Sequence, residues 1–156
     1  WYNRAGVEKV MGFSTPEQQE QFIRDAPEFE RMLVEADIRL VKYWLDIDKK
    51  EQADRLEARR TDPLKQLKVS DLDAVAQARW KGYSNARNDM LKRSNPEWAP
   101  WICVRNDHKK TGRVNLIRDL LHRTAPESLR DDIEKPDPKI VFPFEPAAIE
   151  DGRLAK

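Results

Sequence analysis

Apolar positions recur at helical spacing through "FSTPEQQEQFIRDAPEFERMLVEAD", residues 13–37. Thr15 stands where an N-cap belongs, Pro16 takes the first helical position, and Gln18 follows at N3. That is the capping-box arrangement, which satisfies the first free N–H groups of a helix. Pro27 interrupts the pattern and predicts either a kink or a second helix start. Beyond it, Phe29, Met32, Leu33 and Ala36 predict one buried stripe. "IRLVKYWLDI" has a different texture. It is short, nearly continuously apolar, and rich in β-branched and aromatic residues, with Lys42 as the interruption. This pattern predicts a strand buried on both faces, as in a parallel sheet.

Asp48 and Glu51 then set up a second capping box for "DKKEQADRLEARRTDP", which Pro63 ends. Its apolar stripe is thin (Ala53, Leu56), so an exposed helix is expected. After the basic connector "LKQLKVS", Ser70 with Asp73 opens a long helix. Leu72, Val75, Ala76, Trp80, Tyr83, Ala86, Met90 and Leu91 recur along it at helical spacing, a stripe expected to pack into the core. "SNPEWAP" is a turn-rich break and "WICV" a second short buried strand. "RNDHKKTGR" is a polar loop entering a helix with Val114, Ile117, Leu120 and Leu121 inward. From Thr124 onward the chain carries five of its ten prolines. The segment 124–156 is expected to be an extended tail whose apolar anchor, "IVFPF", lies along the body or a neighbouring subunit. Strands alternating with helices argue for a parallel α/β sheet. Two strands make only the back half of such a domain.

Composition narrows the function classes. At 156 residues and 18.3 kDa the chain can bury a core without disulfides, as one domain. Charged residues reach 37%, but the signs cancel to a formal +1. No global field draws the chain to nucleic acid or an anionic membrane, so an anion site must be a local cluster. The lone Cys103 forms no intrachain disulfide and favours a reducing, cytoplasmic setting. No apolar run is long enough to span a bilayer, and the opening residues carry no secretory leader. With two histidines and no Cys or His partner at metal spacing for His108, a zinc site is not expected. No G-x-S-x-G, His–Asp–Ser, CxxC or Gly-rich phosphate-loop pattern is present.

Three constellations remain. "NRAGVE" offers the Asn3 amide, the Arg4 fork suited to phosphate oxygens, and the Glu8 carboxylate. Pattern alone favours a solvated helix start there. "EARRTDPLKQLKVS" follows Arg55 directly but for Leu56 and adds Arg59, Arg60, Lys65 and Lys68, a set able to grip a polyanion. An ordinary solvated face with pairs such as Glu51–Arg55 fits the pattern as well. "RNDHKKTGR" follows a buried strand, where α/β sheets bind ligands. It places Asn106, Asp107, Lys109, Lys110 and Arg113 for nucleotide or phosphate contact.

Five stretches in unbroken order resemble the polyphosphate kinase 2 family: "WYNRAGVE.VMGF", "PEFERMLV..DIRLVKYWL.I", "R..ARR.DPLK..K.S..D", "W..Y..AR..M" and "APW..V..D.KK..R.N.I..LL". The resemblance covers residues 1–123. It implies a P-loop kinase-like three-layer α/β/α fold with a helical lid at about 55–93, present here as the C-terminal half, with 124–156 as a Pro-rich tail. It implies Mg²⁺-dependent phosphoryl transfer between inorganic polyphosphate and a nucleoside mono- or diphosphate. By resemblance, Asn3, Arg4, Glu8 and Arg59 fall on catalytic positions. Arg55, Arg60, Lys65 and Lys68 fall on polyphosphate-binding positions, and Asp107, Lys109, Lys110 and Arg113 on the nucleotide border. No metal ligand is assigned in this chain, because the Walker A and Walker B segments are expected upstream of Trp1. The chain alone is therefore expected to bind at best, without turnover. A homo-oligomer, dimer or tetramer, is implied, with neither nucleic acid nor membrane as partner. Two departures stand out: Leu67 where the family usually shows an aromatic, and Gly112 early in a helix, at a cost of roughly 1 kcal/mol against Ala. The alternatives are a non-catalytic polyanion-binding module and an ATP-dependent nucleoside monophosphate kinase.

Overall fold

The computed structural model describes residues 1–64, 67, 70 and 72–156. A 3-10 turn (Tyr2–Arg4) leads into α1 (Val7–Met11) and the long α2 (Pro16–Glu35). After β1 (Lys42–Asp46) come α3 (Lys49–Thr61), α4 (Asp73–Ala76) and α5 (Trp80–Arg93). The chain continues through β2 (Trp101–Arg105), α6 (Lys109–Thr124), α7 (Glu127–Arg130), β3 (Val141–Pro143) and a further 3-10 turn (Pro146–Ile149).

The sheet order is β1-β2-β3. β1 and β2 run parallel, from Lys42 opposite Trp101 to Asp46 opposite Arg105. The third strand, antiparallel to β2, comes from "IVFPF". It ends at Pro143 on the sheet edge, where a missing N–H costs little. Phe142, Phe144, Ala148 and Leu154 are all buried, so the Pro-rich segment supplies part of the main core.

Alternation along β2 builds three layers. Trp101 and Cys103 face a cluster with Ile23 of α2 and Met90 and Leu91 of α5. Ile102 and Val104 face the other side, with Val141 and the half-buried Leu116 of α6. Helices thus cover both faces of a mixed α/β sheet.

The helix starts follow the local chemistry. Thr15 and Gln18 form the reciprocal capping box, and Asp48 accepts from the Glu51 N–H at 2.6 Å. α2 passes through Pro27 as a single helix. The apolar stripes differ from expectation. On α2, Phe29 and Met32 are 50% and 65% exposed, while Ile23, Ala26 and Glu30 turn inward. On α6, Val114, Ile117 and Leu121 face solvent, while Gly112, Asn115 and Asp119 are buried. Glu30, Asn115 and Asp119 all have partners. Tyr43 and Arg123 donate to Asp119 at 2.6 Å, and Asn115 Oδ1 accepts from the Asp137 N–H at 2.7 Å. A side chain at Gly112 would meet Asn106 Oδ1 at 2.6 Å, so α6 approaches the end of β2 as closely as only glycine allows. β1 departs too: Leu45 is half exposed, while the charged Lys42 and Asp46 are buried. The helix expected to run unbroken from Ser70 divides into α4 and α5 with a turn between them.

Candidate functional site

Because β1 and β2 are parallel, their carboxyl ends share one edge of the sheet, the edge at which open α/β folds bind ligands. The two following loops are fastened together there. The Asn106 N–H donates to the Asp46 carbonyl, and the Asp48 N–H donates to Asp107 Oδ1, each at 2.7 Å. Asp107 Oδ2 accepts from Arg105 Nη2 at 2.7 Å. Arg55 donates to Glu51 Oε1 at 2.6 Å and to the Asn106 carbonyl, which ties α3 to the end of β2. α3 therefore leaves the sheet edge in a fixed direction. Asp107 and Arg55, singled out as ligand contacts, both engage partners within the chain.

Beside this edge lies a cavity of about 460 Å³. Trp1, Tyr2 and Asn3 from the opening turn, Asp46 from β1, and Trp80 and Arg87 from α5 contribute to its wall. Trp80 and Tyr83, expected in the core, are half-buried and line it. Asn3 is the member of the opening trio on the wall. Arg4 and Glu8 pair with each other at 3.0 Å, one helical turn apart.

At the far end of α3, Arg59 Nη1 donates to both Asp73 oxygens, at 2.8 and 2.9 Å, joining α3 to α4. Burial alone would raise the Asp73 carboxyl, but hydrogen bonding and charge from Arg59, with hydrogen bonds from Ser70, together outweigh it and hold it below its usual range. Arg60 lies 3.9 Å from Glu57 on the exposed face. Leu67 is almost fully exposed. Lys65 and Lys68 lie outside the described residues. Lys109, Lys110 and Arg113 occupy the exposed first turn of α6, behind the His108 cap. The candidates thus fall into three groups: the opening turn, α3 with the loop bound to its base, and the start of α6.

Pattern reading missed two buried ionic clusters. Lys42 Nζ donates to Glu30 Oε2 at 2.7 Å and to the Ser94 carbonyl at 2.8 Å, and lies 4.8 Å from the centre of the Trp101 ring. The Tyr2 hydroxyl donates to Glu30 Oε1 at 2.8 Å. Burial lowers the Lys42 pKa against the upward pull of Glu30, and burial followed by Glu30 raises that of Tyr2. This cluster anchors the opening turn beneath Asn3. The second cluster joins Asp46 to Arg87 at 3.0 Å. The signal available in the sequence was a charge inside each apolar run, Lys42 and Asp46 in "KYWLD".

Among the described residues, no group of three or more His, Cys, Asp or Glu could hold a metal ion. Asp46 and Asp107, at the strand ends, spend their oxygens on donors of this chain. Among the described residues, none of these carboxylates is set to take a metal ion. Among the described residues, no helix is long and apolar enough to cross a membrane.

Comparison with known proteins gives a consistent result. The family model described as Polyphosphate kinase 2 (PPK2) matches residues 1–132. An ADP-polyphosphate phosphotransferase 2 of Rhizobium meliloti is 47% identical over 138 residues, covering 88% of this chain and 45% of the relative. A GDP-polyphosphate phosphotransferase of Pseudomonas aeruginosa is 42% identical over 155 residues, covering 99% of this chain and 43% of the relative. The crystal structure of a polyphosphate kinase 2 from Arthrobacter aurescens TC1 aligns with 96% of this chain and 50% of its own, at a TM-score of 0.73 and 30% identity. The chain spans about half the length of the relatives it matches.

Proposed function

The chain belongs to the polyphosphate kinase 2 family, and from that premise we propose that it forms one side of a site for phosphoryl transfer between inorganic polyphosphate and a nucleotide. The acceptor is ADP or GDP, converted reversibly to ATP or GTP in the complete protein. The observation that carries this reading is the placement of α3. Arg55 fastens its base to the ligand-binding edge of the sheet, and Arg59 and Arg60 project from its far end.

Phosphoryl transfer depends on positioning and charge neutralisation more than on covalent chemistry by the protein. Arg59 takes the polyphosphate chain by exchanging Asp73 oxygens for phosphate oxygens, with Arg60, Lys65 and Lys68 extending the grip. Asn3 and Arg4 face the transferring group, and Glu8 orients Arg4. Lys109, Lys110 and Arg113 at the start of α6 border the nucleotide. Closure of the lid, residues 55–93, excludes water and suppresses hydrolysis. Mg²⁺ is the ion that the resemblance implies. The described residues offer it no ligand set, so no step above is routed through it. A cytoplasmic homo-oligomer, dimer or tetramer, belongs to the same proposal.

The test is an assay of the complete protein with polyphosphate and ADP, GDP or AMP. Polyphosphate-dependent ATP or GTP is expected. Failure to form either would refute the reading. The 156-residue chain alone should bind phosphate chains without turnover, and turnover by it would refute the assignment of an incomplete site.

A further inference from the structure

The residues that follow the family match include a segment whose backbone reaches the ligand-binding edge. Leu154 is 1% exposed and sits in the main core with Phe142 and Phe144. From that anchor the backbone crosses the carboxyl ends of both parallel strands. The Ala155 N–H donates to Asp46 Oδ2 at 2.7 Å, and the Ala155 carbonyl accepts from Arg87 Nη2 at the same distance. The Arg153 carbonyl accepts from Arg105 Nη1 at 3.2 Å. The main-chain oxygen of Lys156 accepts from Trp80 Nε1 at 2.6 Å.

These bonds complete two buried charges. Asp46 Oδ1 accepts from Trp44 Nε1 and Arg87 Nη1, each at 3.0 Å, which leaves Oδ2 to Ala155. Arg87 places Nε on Asn88 and Nη1 on Asp46, which leaves Nη2 to Ala155. Without residues 153–156, one carboxylate oxygen and one guanidinium nitrogen would lose their protein partners and the pair would lose part of its cover. Trp80 and Arg87 are nearly two helical turns apart on α5, and both line the cavity.

We propose that residues 153–156 form a positioning strap that holds α5, the return helix of the lid, against the carboxyl ends of β1 and β2. The strap touches neither phosphate nor nucleotide. It sets where the lid pivots, and through that pivot it governs the grip on polyphosphate. This role rests on the phosphoryl-transfer reading above, whereas the ordering of α5 does not.

The test uses the complete protein with Ala155→Pro, which removes the N–H that Asp46 accepts, and Ala155→Gly, which keeps it. For Ala155→Pro, amide hydrogen exchange in α5 should rise about tenfold while α6 is unchanged. The KM for polyphosphate should rise about tenfold, with the nucleotide KM within twofold of wild type. Ala155→Gly should restore both. Loss of folded protein alone lowers apparent kcat and leaves both KM values in place, so that pattern would overturn the proposal. So would unchanged exchange in α5. If Ala155→Pro does not fold, Trp80→Phe, which loses the bond to Lys156 but keeps a ring, decides by the same two readouts. If wild type makes no nucleoside triphosphate from polyphosphate, the proposed function fails, and α5 exchange alone judges the strap.

Discussion

Arg87–Asp46 and Arg59–Asp73 are the same chemical pair in two settings. Their N–O distances are 3.0 and 2.8 Å, so length does not distinguish them. Exposure does: 6% and 2% for the first pair, 35% and 19% for the second. Arg87 has all three guanidinium nitrogens engaged, whereas the Arg59–Asp73 bonds use one nitrogen of Arg59. Taking charges out of water is costly, and only complete mutual satisfaction offsets it. The buried pair therefore cannot trade partners. The Arg59–Asp73 pair keeps water nearby, so in the proposed function phosphate oxygens take the place of Asp73. One pair sets the frame, and the other is free to work.

The largest expected effect comes from breaking the frame. Asp46→Ala strands the Arg87 charge and the Ala155 N–H inside the protein, and should cost about 3–5 kcal/mol in urea unfolding. A loss below about 1 kcal/mol would show that the pair does not hold the strand end. Arg59→Ala should behave in the opposite way. Stability should change by about 0.2–1 kcal/mol, the range for partly exposed pairs. Turnover of the complete protein should fall about 100-fold, equivalent to about 2.7 kcal/mol of barrier. Unchanged kcat/KM in Arg59→Ala would mean that the lid cation does not meet the transferring phosphate.

The sequence made local chemistry legible and left spatial destination hidden. Thr15 and Gln18, or Asp48 and its α3, act within one helical turn, so their spacing is the structure. β2 was visible because a strand buried on both faces needs a continuous apolar run. The stripe of Phe29 and Met32 misled for a physical reason: periodicity shows that a face is apolar, not which neighbour covers it. In α2 the sheet is met by Ile23, Ala26 and Glu30, and Glu30 is acceptable there because Lys42 and Tyr2 satisfy it. β3 was hidden by its prolines, which read as tail until Phe142 and Phe144 are seen in the core. At the candidate site the run of cations along α3 was legible. Arg87 was not, since its partners Asp46 and Ala155 lie 41 and 68 residues away.

Acid should loosen the lid pair by a smaller amount. In the folded chain the Asp73 carboxyl ionises more readily than in the unfolded chain, because Arg59 and Ser70 together overcome the opposing effect of burial. The unfolded chain binds the proton first as pH falls. The contribution is therefore complete above the ordinary aspartate value, about 3.9, and is lost as pH drops through the lower folded value. Amide exchange at α4, followed below pH 5, should rise on that descent before global unfolding. A contact that persists unchanged to the point of unfolding would show that Asp73 is held by something other than Arg59.

The smallest effect separates the pairs most cleanly, because one of them should show none. Cys103 lies in the core beside the buried pair, and burial, followed by the charge of Asp46, pushes its thiol up to about 12. At pH 8 only about one thiol in ten thousand is then ionised, and the thiolate is the reactive form. Labelling by a thiol reagent should proceed only through opening of the core. Asp73→Asn, which weakens the exchangeable pair, should leave that rate within twofold of wild type. Asp46→Asn weakens the frame, and should speed labelling at least tenfold; it also removes a charge that holds the thiol protonated. The lower intrinsic pKa of that variant acts in the same direction, so the two causes are separated with denaturant. Acceleration through opening grows with urea along the unfolding slope, whereas a pKa effect does not. Equal labelling in both variants would mean that the two pairs differ in burial but not in the work they do for the fold.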